Sequence, residues 1–429
     1  MPQALFYNIM TYTESQDYIR DVCTSGSVYD LDCIKQLLLA LSSPEKSFGV
    51  IHVAGTNGKG SVSRMLMNVL KCAGYTVGIF NSPFLEKRNE YLCVNGINAT
   101  DEEYSLIAGI VKNAVERGLS SGKKQKRRPT EFEFSFAMAM EYFVRKGCDL
   151  AIVECGLGGL TDATNVFKNT LLDVITNIGL DHVRLLGNTL KDIAFQKCGI
   201  ICRNGSVAAY PSDTEALEVI RKECKRKDAS LLIADAPKTK GIFTDKEFSE
   251  LALKGSFQKR NASLVLSCIE ILKEKSFKIS DEDIKKGLKS VVWPGRFEVL
   301  KKAPAVIADG GHNPQCISAL CESLKEYGIK KAVFVIGIMA DKDWLTAFNM
   351  LKPFASYVIG TEPENDRKLD ADLITGYFKE NIPTEVCKEP ANAVKRALEI
   401  VNKGNLKDYP IVITGSLYMM KDIRAVFVS

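Results

Sequence analysis

Val50-Ile51-His52-Val53-Ala54-Gly55-Thr56-Asn57-Gly58-Lys59-Gly60-Ser61-Val62-Ser63 is the stretch from which the fold can be read. The short apolar run at 50–53 predicts a buried strand, and Gly55-Thr56-Asn57-Gly58-Lys59-Gly60-Ser61 follows at once. After it, Met65, Leu66, Val69 and Leu70 recur at a helical period. The order is therefore strand, glycine loop, helix. Glycines let backbone N–H groups turn toward a phosphate, and the helix N-terminus adds partial positive charge. In that setting Lys59 supplies a point charge to the outer phosphates, and the Ser61 hydroxyl suits a Mg²⁺ shell. The spacing departs from the standard G-x-x-x-x-G-K-[ST] pattern: only Thr56 and Asn57 separate Gly55 from Gly58-Lys59, and Gly60 intervenes before the hydroxyl.

Whole-chain composition bounds the reading outside this loop. A chain of 429 residues suits two domains with large cores. A net charge of +5 is compatible with anionic small substrates and too weak to argue for nucleic acid. Thirteen cysteines are scattered without C-x-x-C pairs, and neither a signal peptide nor a membrane-length apolar stretch appears. The expectation is free thiols in a reducing, cytoplasmic compartment, with no membrane partner. There are three histidines, His52, His182 and His312, the last two inside glycine-bearing turns.

Before the loop, Ile34, Leu37, Leu38, Leu39 and Leu41 predict a helical leader too short to be a domain. After the loop helix, residues 75–80 read as a second strand ending in Asn81-Ser82-Pro83-Phe84-Leu85, and residues 91–94 as an antiparallel ribbon. A helix carrying Tyr104, Ile107, Ile110 and Val111 leads to the basic run Lys123-Lys124-Gln125-Lys126-Arg127-Arg128. That run reads as a solvated loop, with attraction of a polyanionic substrate as the minority reading.

A helix over 131–145 delivers the chain into Leu150-Ala151-Ile152-Val153-Glu154, a strand ending on a carboxylate. In parallel α/β sheets ligands bind outside the carboxyl ends of strands, so this strand is expected beside the first one. The loop Gly156-Leu157-Gly158-Gly159 and then Asp162-Ala163-Thr164-Asn165 follow, and a strand over 173–178 ends in Gly179-Leu180-Asp181-His182. Three successive strand ends thus carry a lysine with a hydroxyl, a carboxylate and an imidazole, able to converge on one phosphate–metal site. The helix after Thr189 carries Ile193, Ala194 and Lys197 and is expected to stop at Gly199 as a C′ residue, and strands over 206–210 and 231–234 extend the sheet.

Trp293-Pro294-Gly295-Arg296-Phe297 is the expected boundary, giving domains 1–295 and 296–429. Beyond it, apolar runs at 305–308, 332–336, 357–359 and 411–414 each end in a polar or glycine-rich turn: Asp309-Gly310-Gly311-His312-Asn313-Pro314, Asp341-Lys342-Asp343, Glu362-Pro363 and Gly415-Ser416-Leu417-Tyr418. The pattern predicts a second, smaller, Rossmann-like doubly wound sheet with polar groups on one rim, after a P-loop parallel-sheet ATPase domain. Glycine turns explain the glycines and leave Asp309, His312 and Asn313 unexplained.

At these residues the sequence resembles the folylpolyglutamate synthase and dihydrofolate synthase group of the Mur ligase superfamily. The resemblance rests on H-V-A-G-T-N-G-K-G-S (52–61), S-P-x-L (82–85), P-T-x-F-E-F (129–134), E-C-G-L-G-G (154–159), D-A-T-N (162–165), G-L-D-H (179–182), W-P-G-R-F-E (293–298), D-G-G-H-N-P (309–314) and T-G-S-L-Y (414–418). It implies ATP between two domains, held by Gly55, Thr56, Asn57, Gly58, Lys59, Gly60 and Ser61 together with Asn261, Arg296 and Asp309. It implies Mg²⁺, as two ions, on Ser61, Glu154, His182 and a carbamylated Lys197, with a monovalent cation as a further partner. Ser82, Pro83, Phe84, Asp162, Thr164, His312 and Ser416 fall to the substrates, a reduced folate or dihydropteroate and L-glutamate. Lys59, Lys197, Asp309 and His312 fall to the chemistry, carried out by a monomer: a folate carboxylate attacks the γ-phosphate, and the amine of glutamate displaces phosphate from the acyl phosphate. A Mur-type ligase acting on another carboxylate is the nearest alternative, and a non-catalytic nucleotide-binding module a more distant one. The chain departs from the family pattern at Phe84, Leu160, Gln196 and Phe257, which bears on substrate choice more than on reaction class.

Overall fold

The structure is a computed structural model that describes residues 10–23, 30–120, 127–211, 213–234, 242–243, 247–248, 250–407 and 409–427. Lys123, Lys124, Gln125 and Lys126 of the basic run lie outside them. The chain forms two compact units, Met1–Asp245 with Asn261–Ser290, and Lys246–Arg260 with Val291–Ser429.

Eight strands build the sheet of the first unit: β1 Gly49–Ala54, β2 Val77–Phe80, β3 Cys93–Val94, β4 Ile97–Asn98, β5 Leu150–Glu154, β6 Leu172–Ile175, β7 Ser206–Ala209 and β8 Ser230–Ile233. Their order is β4-β3-β2-β5-β1-β6-β7-β8, parallel from β2 to β8 with an antiparallel ribbon at one edge. β1 lies between β5 and β6, with Val53 beside Glu154 and Ala54 beside Ile175. The near-continuous apolar runs of β1 and β5 follow from helices covering both faces. On one face Phe134, Phe136, Met138, Met140 and Phe143 of the helix Glu131–Arg145 are fully buried. Gly78 of β2 admits this helix, because a Cβ there would lie 2.6 Å from the Phe143 ring. Ile175, Ile193, Ile200 and Ile220 fill the other face.

Part of the P-T-x-F-E-F motif has a structural cause. Thr130 caps the helix by accepting from Glu133 N at 3.2 Å, and Glu133 accepts from Thr130 N at 2.7 Å, a reciprocal capping box.

The second unit holds six strands: β9 Glu298–Lys302, β10 Ala305–Asp309, β11 Ala332–Ile336, β12 Ala355–Gly360, β13 Thr384–Val386 and β14 Ile411–Thr414. Their order is β13-β12-β11-β14-β10-β9, and only β9 runs antiparallel. β14 sits between β10 and β11, which brings the turns after these three strands side by side. Phe334, Phe348 and Phe378 anchor its core.

Three local expectations change. Residues 91–94 do not form the ribbon alone: Arg88–Tyr91 is a 3-10 turn, and the ribbon pairs Cys93–Val94 with Ile97–Asn98. Gly199 is no left-handed C′ residue but lies within the 3-10 turn Cys198–Ile200. It is a glycine because a Cβ would stand 2.3 Å from Leu160 Cα. The second sheet gains β9 and β13, whose exposed edge positions lack the apolar run that marks a central strand. Among the described residues no helix is long and apolar enough to cross a membrane.

Candidate active site

Where β1 ends, the glycine loop is attached to the segment after β6. Gly55, at φ 154°, has no room for a side chain, since a Cβ would fall 1.7 Å from Thr176 Oγ1. Thr56 N donates to Asn177 O at 2.7 Å, and Thr176 Oγ1 donates to Asn57 O at 2.8 Å. Thr56 Oγ1 donates to Gly179 O and accepts from Gly179 N, both at 3.0 Å. These bonds hold the loop against the start of the Gly-Leu-Asp-His turn. Gly58, left-handed at φ 91°, caps the helix Lys59–Cys72, and a Cβ on it would approach Asn261 Oδ1 to 2.7 Å. Gly60 and the buried Ser61 occupy the first turn of that helix.

Two lysines meet at this loop. Lys59 Nζ donates to Gly55 O at 3.1 Å and Thr56 O at 3.2 Å, and stands 3.9 Å from Glu154 Oε1. Lys197 Nζ donates to the same Gly55 O at 2.8 Å from the last turn of the helix Leu190–Lys197. Burial, with the nearby charge of Lys59, pushes the Lys197 amine down to about 7. The carboxyl end of this helix is held by Lys227, whose Nζ donates to Cys198 O, Gly199 O and Ile201 O. The Gly156–Gly159 loop packs on it closely enough that a Cβ on Gly159 would lie 2.8 Å from Gln196 O. Leu160 N also donates to Gln196 O, at 2.8 Å.

Asp162 directs its carboxylate into its own loop, accepting from Leu157 N, Thr164 N and Thr164 Oγ1 at 2.7, 2.9 and 2.6 Å. Burial raises its pKa and these bonds oppose the rise. Thr164 Oγ1, having donated to Asp162, accepts from His52 Nε2 at 2.9 Å. His52 is fully enclosed on β1, and burial lowers its pKa to about 3, so the imidazole is neutral. His182 lies half-exposed at φ 50°, its N–H donating to Asp181 Oδ1 at 2.9 Å. Ser82 and Pro83 follow β2 through a cis peptide bond. Phe84 stands edge-on to Tyr91 at 5.5 Å, with the Arg88 guanidinium 5.6 Å over its ring.

In the second unit Asp309, at the end of β10, accepts from Gly311 N at 2.8 Å and Phe297 N at 2.9 Å. Burial raises its pKa, and the Arg296 charge opposes that. His312 Nδ1 donates to Gly310 O at 3.0 Å, since a carbonyl only accepts, which assigns the proton to Nδ1. Asn313 then caps the helix Pro314–Glu326 through Cys316 N. Gly415, at φ 112°, lets the β14 turn cross the one after β11: its Cβ would fall 2.4 Å from Gly337 O. Ser416 is buried and accepts from Tyr418 N at 3.1 Å.

The first unit therefore gathers Gly55, Lys59, Glu154 and Lys197, seats Asn261 against Gly58, and pairs Asp162 with Thr164. The second gathers Arg296, Asp309 and His312 on one turn system. Among the described residues no group of three His, Cys, Asp or Glu side chains is arranged to hold a metal. Two neighbours escaped the sequence reading. Asn81 Nδ2 donates to Glu154 Oε2 at 2.7 Å, and its position at a strand end beside the Glu154 strand was the available signal. Phe132 shields the next loop, where a Cβ on Gly156 would meet its ring at 2.8 Å.

Comparison with known proteins places these two units. Residues 53–268 match the Mur ligase middle domain and residues 295–417 the Mur ligase glutamate ligase domain. The chain is 34% identical to the dihydrofolate synthase/folylpolyglutamate synthase of Bacillus subtilis (strain 168), over 96% of this chain and 98% of that protein. It is 31% identical to the folylpolyglutamate synthase of Lacticaseibacillus casei, over 97% and 98%. Among solved structures it resembles Mycobacterium tuberculosis folylpolyglutamate synthase complexed with ADP, with a TM-score of 0.87 and 27% identity over 97% of this chain and 98% of that one. A structure described as an FPGS-AMPPCP-folate complex gives a TM-score of 0.83 and 29% identity over 98% and 100%.

Proposed function

This chain belongs to the Mur ligase family, in its folylpolyglutamate and dihydrofolate synthase group, and from that premise we propose how its residues join L-glutamate to a folate carboxylate at the expense of ATP. The observation that carries the reading is the meeting of Lys59, Lys197 and Glu154 around Gly55 O at adjoining strand ends. A helix N-terminus, the Lys59 ammonium and a buried carboxylate together suit the triphosphate of ATP and a magnesium ion.

Lys59 now rests on the carbonyls of its own loop and near Glu154. It turns from them to the outer phosphates when ATP enters, so the loop N–H groups and the ammonium share the charge that moves during phosphoryl transfer. The donor set fits a hard cation, because Glu154 is a buried carboxylate and Ser61 a buried hydroxyl on the first helical turn. Ser61, Glu154, His182 and Lys197 would hold magnesium, which neutralises phosphate charge when bound. Lys197 would join that set as a carbamate: its enclosed neutral amine bonds to the carbon of CO₂, one C=O π pair moves to oxygen and an N–H proton passes to solvent, which puts an anion where an ammonium would carry positive charge.

The carboxylate of a reduced folate or of dihydropteroate attacks the γ-phosphate, giving an acyl phosphate and ADP. The amine of L-glutamate then adds to the acyl carbon and phosphate leaves. In the second unit His312, its Nδ1 proton committed to Gly310 O, serves the chemistry through its ring. Asp309 and Arg296 serve the nucleotide, and Ser416 the incoming glutamate. Ser82, Pro83 and Phe84 with the Asp162–Thr164 loop form the folate side. Reduced folates are the expected acceptors, and Phe84, beside Tyr91 and Arg88, is the departure that bears on dihydropteroate use. The protein works as a monomer in a reducing cytoplasm.

ADP release measured with tetrahydrofolate, dihydropteroate and L-glutamate, each omitted in turn, tests the function. Full reaction needs a folate and glutamate together, and Lys59→Ala abolishes it without changing the melting temperature. Glutamate-independent ADP release, or a Lys59→Ala variant within tenfold of wild type, refutes the assignment.

A further inference from the structure

Asn81 closes β2 at the position where the sheet register brings it beside Glu154, since Phe80 pairs with Val153 on β5. Its side chain is buried. Nδ2 donates to Glu154 Oε2 at 2.7 Å, a short bond to a charged acceptor. The amide orientation is settled chemically, because the flipped rotamer would set Oδ1 against a carboxylate oxygen, two acceptors with no proton between them. Oδ1, equally buried, has no hydrogen-bond partner. Buried carbonyl oxygens are seldom left this way, and such an orphan beside an acidic ligand calls for a donor or a cation that arrives with the substrate.

We propose that Asn81 is a positioning residue of the cation site: its Nδ2 locks the Glu154 carboxylate in its coordinating rotamer, and its Oδ1 receives a water carried in by the cation. The inference rests on the reading of Glu154 as a magnesium ligand. Glu154 Oε2 is held by Asn81 while Oε1 faces Lys59 at 3.9 Å, so each carboxylate oxygen has a defined neighbour before any ion binds. Groups that orient a metal ligand in this way typically set affinity by roughly 10–100-fold. Asn81 itself does not touch the reacting atoms, and its loss weakens cation binding more than it changes chemistry at saturating metal.

The test is titration of Mn²⁺ into the full chain, followed by electron paramagnetic resonance of free Mn²⁺, with a non-hydrolysable ATP analogue at constant concentration. Wild type, Asn81→Leu, Asn81→Ala and Glu154→Gln are compared. Asn81→Leu removes the donor at similar volume, and Asn81→Ala supplies a second reading should the leucine variant not fold. The expected result is a Kd for Mn²⁺ raised about tenfold or more in the Asn81 variants, with kcat recovering toward wild type at high Mg²⁺. Mn²⁺ affinity equal to wild type in a folded Asn81 variant, with Glu154→Gln weakened, overturns the inference alone. Equal affinity in wild type and Glu154→Gln overturns the metal reading of Glu154 and the inference together.

Discussion

At the scale of single residues, Lys197 is the most informative side chain, because an ordinary ammonium there would be both enclosed and 2.8 Å from a loop carbonyl that Lys59 also uses. Burial favours the neutral amine, and a neutral amine reacts with CO₂. Intact-site mass measurement in bicarbonate buffer is expected to find an added carboxyl group on Lys197. Lys197→Ala is expected to lose at least a hundredfold in activity, with partial recovery in acetate or another short carboxylic acid. Full activity of the alanine variant without added acid would contradict this. Phe84 offers a second residue-level test, since its ring is held between Tyr91 and Arg88. Phe84→His is expected to raise dihydropteroate turnover relative to tetrahydrofolate by about fivefold, the worth of roughly 1 kcal/mol in a pocket contact. An unchanged ratio means the ring does not select the acceptor.

Elements rather than residues decide how firmly Lys197 is presented. Its helix ends in the turn Cys198–Ile200, where Gly199 lets the chain pass within contact of Leu160. Gly199→Ala drives a methyl into that backbone and is expected to cost about 1–3 kcal/mol in urea unfolding, with a loss of activity at temperatures where the fold persists. A fully active and equally stable alanine variant would show that the two segments can separate freely. β6, on the other side of the loop strand, buries Asp173, whose Oδ2 accepts from Cys202 N at 2.8 Å while Oδ1 lacks a partner. Desolvation pushes this carboxyl up to about 7 from an ordinary 3.8. A raised folded-state pKa means that its contribution to stability is complete below about pH 4 and is lost as pH rises through about 7. Asp173→Asn is therefore expected to unfold near the wild-type urea concentration at pH 5 and to be more stable at pH 8. The gain has an upper bound of about 4 kcal/mol, at ~1.4 kcal/mol per pKa unit. Equal behaviour of the two proteins at pH 8 would mean that the carboxyl ionises at no cost.

For the whole molecule, the thirteen cysteines are all described and all free, most of them buried in the cores. Thiol titration of the denatured chain under non-reducing conditions is expected to return thirteen equivalents, and reductant to leave the melting temperature unchanged. A shift with reductant would reveal a cross-link. Strand, loop and helix at 49–72 follow from the sequence alone, because an apolar run, three closely spaced glycines and a helical period act over a few residues each. The same holds for the placement of polar groups at the ends of β5, β10 and β14, which a repeated apolar-then-polar rhythm makes visible, whereas β6 ends at Ile175, short of the 178 that its apolar run suggests. Edge strands β9 and β13 were not legible, since half-exposed strands carry no apolar run. What tertiary structure alone decided is which strand ends become neighbours. Asn81 and Glu154 are far apart in sequence and meet only because β2 pairs with β5, and Lys197 reaches Gly55 only because its helix is docked by Gly159, Gly199 and Lys227. Local patterns fix the conformation of a segment, whereas sheet order and the contacts it creates arise from burying the whole apolar surface at once, a condition that no short stretch of sequence contains.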